Sequence, residues 1–132
     1  MRFVASEADL DELGHVNNAV WVRWVQEVAV AHWNAAAPPA LRDAVFWVVT
    51  RHEVDYRGNV GAGAVVQADT WVADEARGAR FDRHVRFTDT DGTGGRVLVE
   101  ALTSWALMDR ATGRLRRVRD DVTAPFRGGP VT

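Results

Sequence analysis

The sequence predicts an α+β fold in which an antiparallel sheet buries one long helix on one face. Three observations carry this: one stretch alone repeats apolar residues every three or four positions, a Pro-Pro pair ends it, and most of the chain after that pair alternates with a period of two. With 132 residues, 47% of them hydrophobic and 26% charged, the chain suits one domain spanning 1–132. A domain of that size buries roughly two thirds of its unfolded surface and needs neither disulfide nor structural metal. No cysteine is present.

Residues 2–8 read as a short strand running into the acidic turn Glu7-Ala8-Asp9-Leu10-Asp11-Glu12. Asn17 and Asn18 then give a helix-start signal. Val20, Trp21, Trp24, Val25, Val28, Ala31 and His32 follow on one face, with Arg23, Gln26, Glu27 and Asn34 opposite. Pro38 and Pro39 stop the helix near Ala36, at about 17 residues and about 25 Å. No second helix is expected. Val45 to Tyr56 reads as a long strand, Gly58, Gly61 and Gly63 mark a loop, and Val65 to Ala73 is the next strand. Ala79, Phe81, Arg83, Val85 and Phe87 share one strand face, while Arg80, Asp82, His84, Arg86 and Thr88 share the solvent face. A hairpin through Asp91-Gly92-Thr93-Gly94-Gly95 leads to a strand from Arg96 to Met108. The turn Asp109-Arg110-Ala111-Thr112-Gly113 precedes a short last strand, Arg114 to Val118, and 122–132 form a loosely ordered tail.

Missing residue types exclude several chemistries. Without Cys there is no thiolate nucleophile, zinc ribbon or iron-sulfur cluster. All sixteen basic residues are Arg, which excludes Schiff-base and P-loop lysines. Ser6 and Ser104 are the only serines, and neither lies in a G-x-S-x-G elbow. A net charge of -2 with dispersed arginines argues against nucleic acid as a partner. No apolar stretch nears the roughly 18–20 residues of a membrane span, and Met1-Arg2-Phe3 opens onto acidic residues, so a cytoplasmic protein without membrane contact is expected. His32, His52 and His84 are too scattered for a metal site, His52 reading as partly buried beside Val54 and Tyr56, and no cofactor is expected.

One segment combines groups that do chemistry. Asp11-Glu12-Leu13-Gly14-His15-Val16-Asn17-Asn18 places a carboxylate and an imidazole on a Gly-containing turn at the start of the long helix. First-turn amides lack intrahelical acceptors and carry the positive end of the helix dipole, so they suit an oxygen that becomes negative during acyl transfer. A carboxylate seven residues before the Asn18 amide can attack a carbonyl held there or activate water against it. Asn17 and Asn18 equally serve as helix caps.

The run D-x-x-G-H-V-N-N, with an aromatic and then Trp24 beyond it, resembles the signature of the 4-hydroxybenzoyl-CoA thioesterase family, the acyl-CoA and acyl-ACP thioesterases of hotdog fold. Asp55-Tyr56, Gly63, Thr70-Trp71-Val72, Thr103 to Asp109 and Thr112-Gly113-Arg114 extend the likeness over roughly residues 3–126. The resemblance implies a single hotdog domain, an antiparallel sheet wrapped around one long central helix, that hydrolyses an acyl-CoA or acyl-ACP thioester without a cofactor. Asp11 takes the place of the family's aspartate, as nucleophile or general base, and the Asn18 amide that of the oxyanion donor. His15 and Asn17 match positions lining the site in relatives with H-V-N-N, including the plant acyl-ACP thioesterases. Leu13 stands where those plant enzymes have Asn, Trp21 where the family often has Tyr, and Ala64 where an acid often follows the Gly. Family members of this length associate as dimers and often as tetramers, so a homo-oligomer is implied, the partner supplying part of the acyl pocket.

Further residues have a plain reading beside a functional one. Trp21, one turn into the helix, is the candidate wall of an acyl pocket, while Trp33, Trp71 and Trp105 read as core. Arg114, Arg116 and Arg117, with Arg119, can hold coenzyme A phosphates or an acidic carrier protein, or form a solvated edge with Asp120 and Asp121. Glu27, four residues after Arg23, reads as a surface ion pair. Two rival functions share the fold or the ligand: a hydratase or dehydratase acting on acyl thioesters, and a non-catalytic acyl-thioester binding protein.

Overall fold

A computed structural model of the protein describes residues 1–90 and 95–132. Five antiparallel strands form one sheet in the order β1-β3-β4-β5-β2, with β1 Arg2–Val4, β2 Val45–Tyr56, β3 Val65–Val72, β4 Arg80–Asp89 and β5 Val97–Asp109. The long helix α1, Asn18–Ala36, crosses the sheet's inner face, 19 residues where about 17 are expected, or about 28 Å. Asn17 caps it, its side chain accepting from Ala19 N–H. The expected hairpin at 91–95 lies, but for Gly95, outside the described residues; β4 and β5 nonetheless pair antiparallel, from Arg80 opposite Ala106 to Thr88 opposite Val97.

Burial follows the two sequence periods. On α1, Val20, Trp21, Trp24, Val25 and Val28 are buried as expected, joined by Ala29, while Ala31 is exposed and His32 only half-buried. On β4 the inner face carries Phe81, Arg83, Val85 and Phe87, all buried. Near the start of α1, Phe3 stacks on Trp24 with centroids 4.9 Å apart, and Trp21 meets Phe87 edge-on at 5.3 Å. Such aromatic pairs add to the apolar area they remove from water. Towards the end of α1 a second cluster gathers Val45, Phe81, Leu107, Val118 and Val122.

Several expectations are corrected. A second helix, α2 at Pro39–Ala44, follows the prolines: Pro39 occupies its first turn, where the missing N–H costs nothing. The first strand ends at Val4, and Glu7–Asp9 form a 3-10 turn held by Asp9 Oδ2, which accepts from Ser6 N–H and Oγ–H. No strand forms over 114–118; a single bridge joins Met108 to Leu115. The expected loose tail instead contains a helical turn, α3 at Asp120–Thr123, with Val122, Thr123 and Phe126 buried, and Thr70 bridges to Val131. Apolar Val122 and Phe126 close the core beneath α1's C-terminal half, where Phe126 stacks on Trp33 at 5.5 Å.

Candidate functional site

The turn between Asp9 and Asn18 is held by backbone and side-chain hydrogen bonds together. Asp11 N–H donates to His15 O at 2.7 Å, Gly14 N–H to Asp11 O at 3.1 Å, and Asn17 N–H to Asp9 O at 2.9 Å. Asp9 is itself fixed by Arg23 Nη2 at 2.8 Å, and Arg23 also meets Glu27 at 3.5 Å, the expected surface pair. The Ser6 amide and the Arg23 guanidinium hold the Asp9 carboxyl below its ordinary range. Val16, fully buried, anchors the far side: Asn59 accepts from Val16 N–H and donates to Val16 O, both at 3.0 Å.

Within this frame Asp11 Oδ1 accepts from Leu13 N–H at 2.9 Å and His15 N–H at 3.1 Å. Both bonds fall on one carboxylate oxygen, so Oδ2 has no partner among the described residues. The Asn18 amide is likewise without an acceptor among them, since Ala19 N–H is taken by Asn17 Oδ1 and Val20 and Trp21 N–H by Asn17 O. The turn therefore presents a free carboxylate oxygen and a free helix N-terminal N–H to solvent. Asp11, His15, Asn17 and Asn18 are all exposed and belong to this one turn and the helix start it leads into. His15 touches Asp11 through its backbone only; its imidazole makes no hydrogen bond among the described residues.

Other candidate residues lie elsewhere. Trp21 is 0% exposed and packed in the core, so within one chain it does not wall an open pocket; its indole Nε1–H is buried without a partner among the described residues. Arg114, Arg116 and Arg117 sit beyond the end of β5. Tyr56 Oη meets Asn18 O at 3.4 Å, fixing that end of β2 at the turn, whereas Val45 at the other end pairs with Asp109. Within one chain the structure therefore separates these arginines from Asp11 by the length of β2; Arg116 instead pairs with Asp121 at 3.3 Å. His52 is exposed, and Trp71 stacks on His84 on the sheet's outer face instead of in the core.

The sequence does not anticipate a cavity of about 370 Å³ at the Val45 end, between α1, α2 and the sheet. Trp33, Trp47, Phe81, Trp105 and Phe126 line it, and so does Arg83, an arginine on the helix-facing side of β4. The signal was present as a charged residue at an apolar position of an otherwise clean alternation.

A family model for the thioesterase-like superfamily matches residues 6–126, the stretch from the Ser6 cap to buried Phe126. The chain belongs to the thioesterase-like superfamily. It is 32% identical over 108 residues to a chloroplastic palmitoyl-acyl carrier protein thioesterase of Gossypium hirsutum, an alignment covering 74% of this chain and 25% of that relative. The chain thus spans about a quarter of the length of that curated relative. Among solved structures, a mutant 4-hydroxybenzoyl CoA thioesterase complexed with 4-hydroxybenzoyl CoA superposes with a TM-score of 0.82 at 15% identity, covering 96% of each chain. A Thermus thermophilus thioesterase complexed with coenzyme A and Zn gives 0.81 at 23% identity over 97% of this chain and 96% of that one. The sheet and central helix are therefore those of the hotdog fold.

Proposed function

We propose that this member of the superfamily hydrolyses an acyl thioester of coenzyme A or of acyl carrier protein to the free acid and thiol. The observation that carries the proposal is the turn itself, in which the free Asp11 Oδ2 and the free Asn18 N–H belong to one hydrogen-bonded loop at a helix N-terminus. The thioester carbonyl oxygen accepts from Asn18 N–H, and charge developing there is stabilised by the helix dipole. Asp11 either attacks the carbonyl carbon, expelling the thiolate and leaving an anhydride for water to cleave, or takes a proton from the water that attacks. His15 assists by orienting that water or Asp11. Asn17 shapes the oxyanion site through its cap, and Arg114, Arg116 and Arg117 meet the phosphates of coenzyme A or an acidic carrier.

The exposure of all four turn residues supports a homo-oligomer. β2 is an edge strand, about 36 Å long at 3.3 Å per residue. Two copies joined antiparallel along β2 bring the Val45 end of one, with its cavity and arginines, beside the Tyr56 end and Asp11 turn of the other. A dimer is then the smallest complete unit, with a tetramer as a pair of such dimers. The same reading takes residues 1–132 as one cytoplasmic domain. The 4-hydroxybenzoyl and palmitoyl groups named for relatives define the first substrates to try.

The test is thiol release from acetyl-, medium-chain, palmitoyl-, benzoyl- and 4-hydroxybenzoyl-CoA, and then from the matching acyl carrier protein thioesters. Release with free acid as co-product is expected. An enoyl or hydroxyacyl thioester formed without thiol would identify a hydratase or dehydratase, and saturable binding without turnover a binding protein.

A further inference from the structure

Arg83 is 7% exposed, yet no carboxylate among the described residues pairs with it. Both of its side-chain hydrogen bonds run through Nη1, to His32 Nδ1 at 2.9 Å and to Thr70 Oγ1 at 2.8 Å. Thr70 is a neutral partner, its hydroxyl proton given to His84 O at 2.8 Å. His32 is held down to about 4 by burial and by the Arg83 charge, so at neutral pH its ring is uncharged and accepts from Arg83. Burial lowers the guanidinium only to about 10, which leaves it cationic. A cation this deep with two neutral partners is costly unless something compensates it.

The surroundings add positive charge. Arg42 lines the same cavity with its Nε buried and unpartnered among the described residues. Arg110 lines it too, giving Nη2 to Val45 O at 3.2 Å and lying over the Phe46 ring at 5.4 Å. Asp82 is the acid among the lining residues, and its carboxylate is already taken by Ser104 Oγ at 2.7 Å and Arg77 Nη2 at 2.9 Å. The result is a cavity with aromatic walls, three cations and no free carboxylate.

We infer that this cavity selects acyl groups whose far end carries a carboxylate, with Arg83 as the residue that reads it and the indole and phenyl rings enclosing the apolar segment between carboxylate and thioester. The inference rests on the thioester-hydrolase reading and names its substrate class. An acyl carboxylate is favoured over a coenzyme A phosphate because Arg83 shares its cavity with an aromatic lining that suits a hydrocarbon segment and not a hydrated nucleotide.

Matched thioesters test it: suberoyl-CoA against octanoyl-CoA, and 4-carboxybenzoyl-CoA against 4-methylbenzoyl-CoA. A charge-assisted hydrogen bond in a buried site corresponds to a preference of roughly 10- to 100-fold in kcat/KM for the carboxyl-ended member. Arg83→Met abolishes that preference while retaining hydrolysis of the methyl-ended member, and Arg83→Lys restores part of it. Equal rates within both pairs in the wild-type protein would overturn the inference whether or not Arg83→Met folds. Turnover of at least one thioester would at the same time leave the hydrolase reading standing. If none of these four is turned over, the hydrolase reading is decided by the carrier-protein thioesters, and binding decides the present point. Monomethyl terephthalate then quenches tryptophan fluorescence in the wild-type protein where methyl 4-methylbenzoate does not, and Arg83→Met removes the difference. Equal quenching by the two esters, or displacement of monomethyl terephthalate by adenosine 3′,5′-bisphosphate, would overturn it.

Discussion

Gly14 is the residue on which the candidate site depends most narrowly. Its φ of +74° lies in the left-handed region, and this bend brings the amides of Leu13 and His15 round to the same oxygen of Asp11. A Cβ added at Gly14 meets nothing within 4 Å, so the cost of alanine there is backbone strain alone, roughly 1–2 kcal/mol. Gly14→Ala is expected to lower stability by about that amount in thermal or denaturant unfolding. It should also reduce kcat more than it raises KM, because the carboxylate loses its orientation while the acyl cavity is untouched. Unchanged kcat in a folded Gly14→Ala protein would show that Asp11 is held by something other than this turn.

At the scale of elements, α1 both carries the core and sets the position of the Asn18 amide. Asn17 Oδ1 accepts from Ala19 N–H, so Asn17→Ala is expected to cost about 1 kcal/mol and to fray the first turn, whereas Asn17→Ser, which retains a cap, keeps most of the stability. Activity that follows stability across the two variants marks Asn17 as a cap; activity lost in both marks a contact with substrate. The helix and the Asp11 to Asn18 turn were legible in the sequence because each is a local pattern, the helix long enough to show five buried apolar positions at their expected spacing. α2 was not, since six residues after a proline are too few to display a period. The strand expected at 114–118 failed because one bridge is all that joins it to β5, and α3 was hidden because Val122 and Phe126 stand among charged and turn-forming residues. The cavity was illegible for a different reason: its walls come from positions between 26 and 126. Arg83 announced itself only as a charged residue on an apolar strand face, a pattern equally compatible with a bent or solvated edge.

For the whole molecule, the pairing of half-buried His32 with buried Arg83 gives stability a defined dependence on pH. The folded His32 ring takes its proton at about 4, against 6.5 for the ordinary side chain. Between those values the unfolded chain holds the additional proton, so acidification through that window favours unfolding, and stability is complete only above it. Below the ordinary carboxylate value, protonation of Asp9, whose carboxyl is also depressed, adds to the loss. Thermal unfolding should therefore shift to lower temperature from pH 6.5 down to 4 in wild type. It should shift less in His32→Asn, whose side-chain oxygen still accepts from Arg83 without titrating. A flat wild-type profile, or a variant that follows it, would contradict this assignment. Assembly is the other whole-molecule property: light scattering should find a dimer or a tetramer, and a fully active monomer would rule out a site shared along β2. The central claim is that the Asp11 turn performs thioester hydrolysis, and the most direct test compares thiol release by wild type and Asp11→Asn. Asparagine keeps an oxygen to accept from Leu13 and His15, so the turn survives while the anionic oxygen is lost. The expected result is an unchanged unfolding midpoint with turnover reduced by about 10²- to 10⁴-fold, and turnover near the wild-type rate would contradict it.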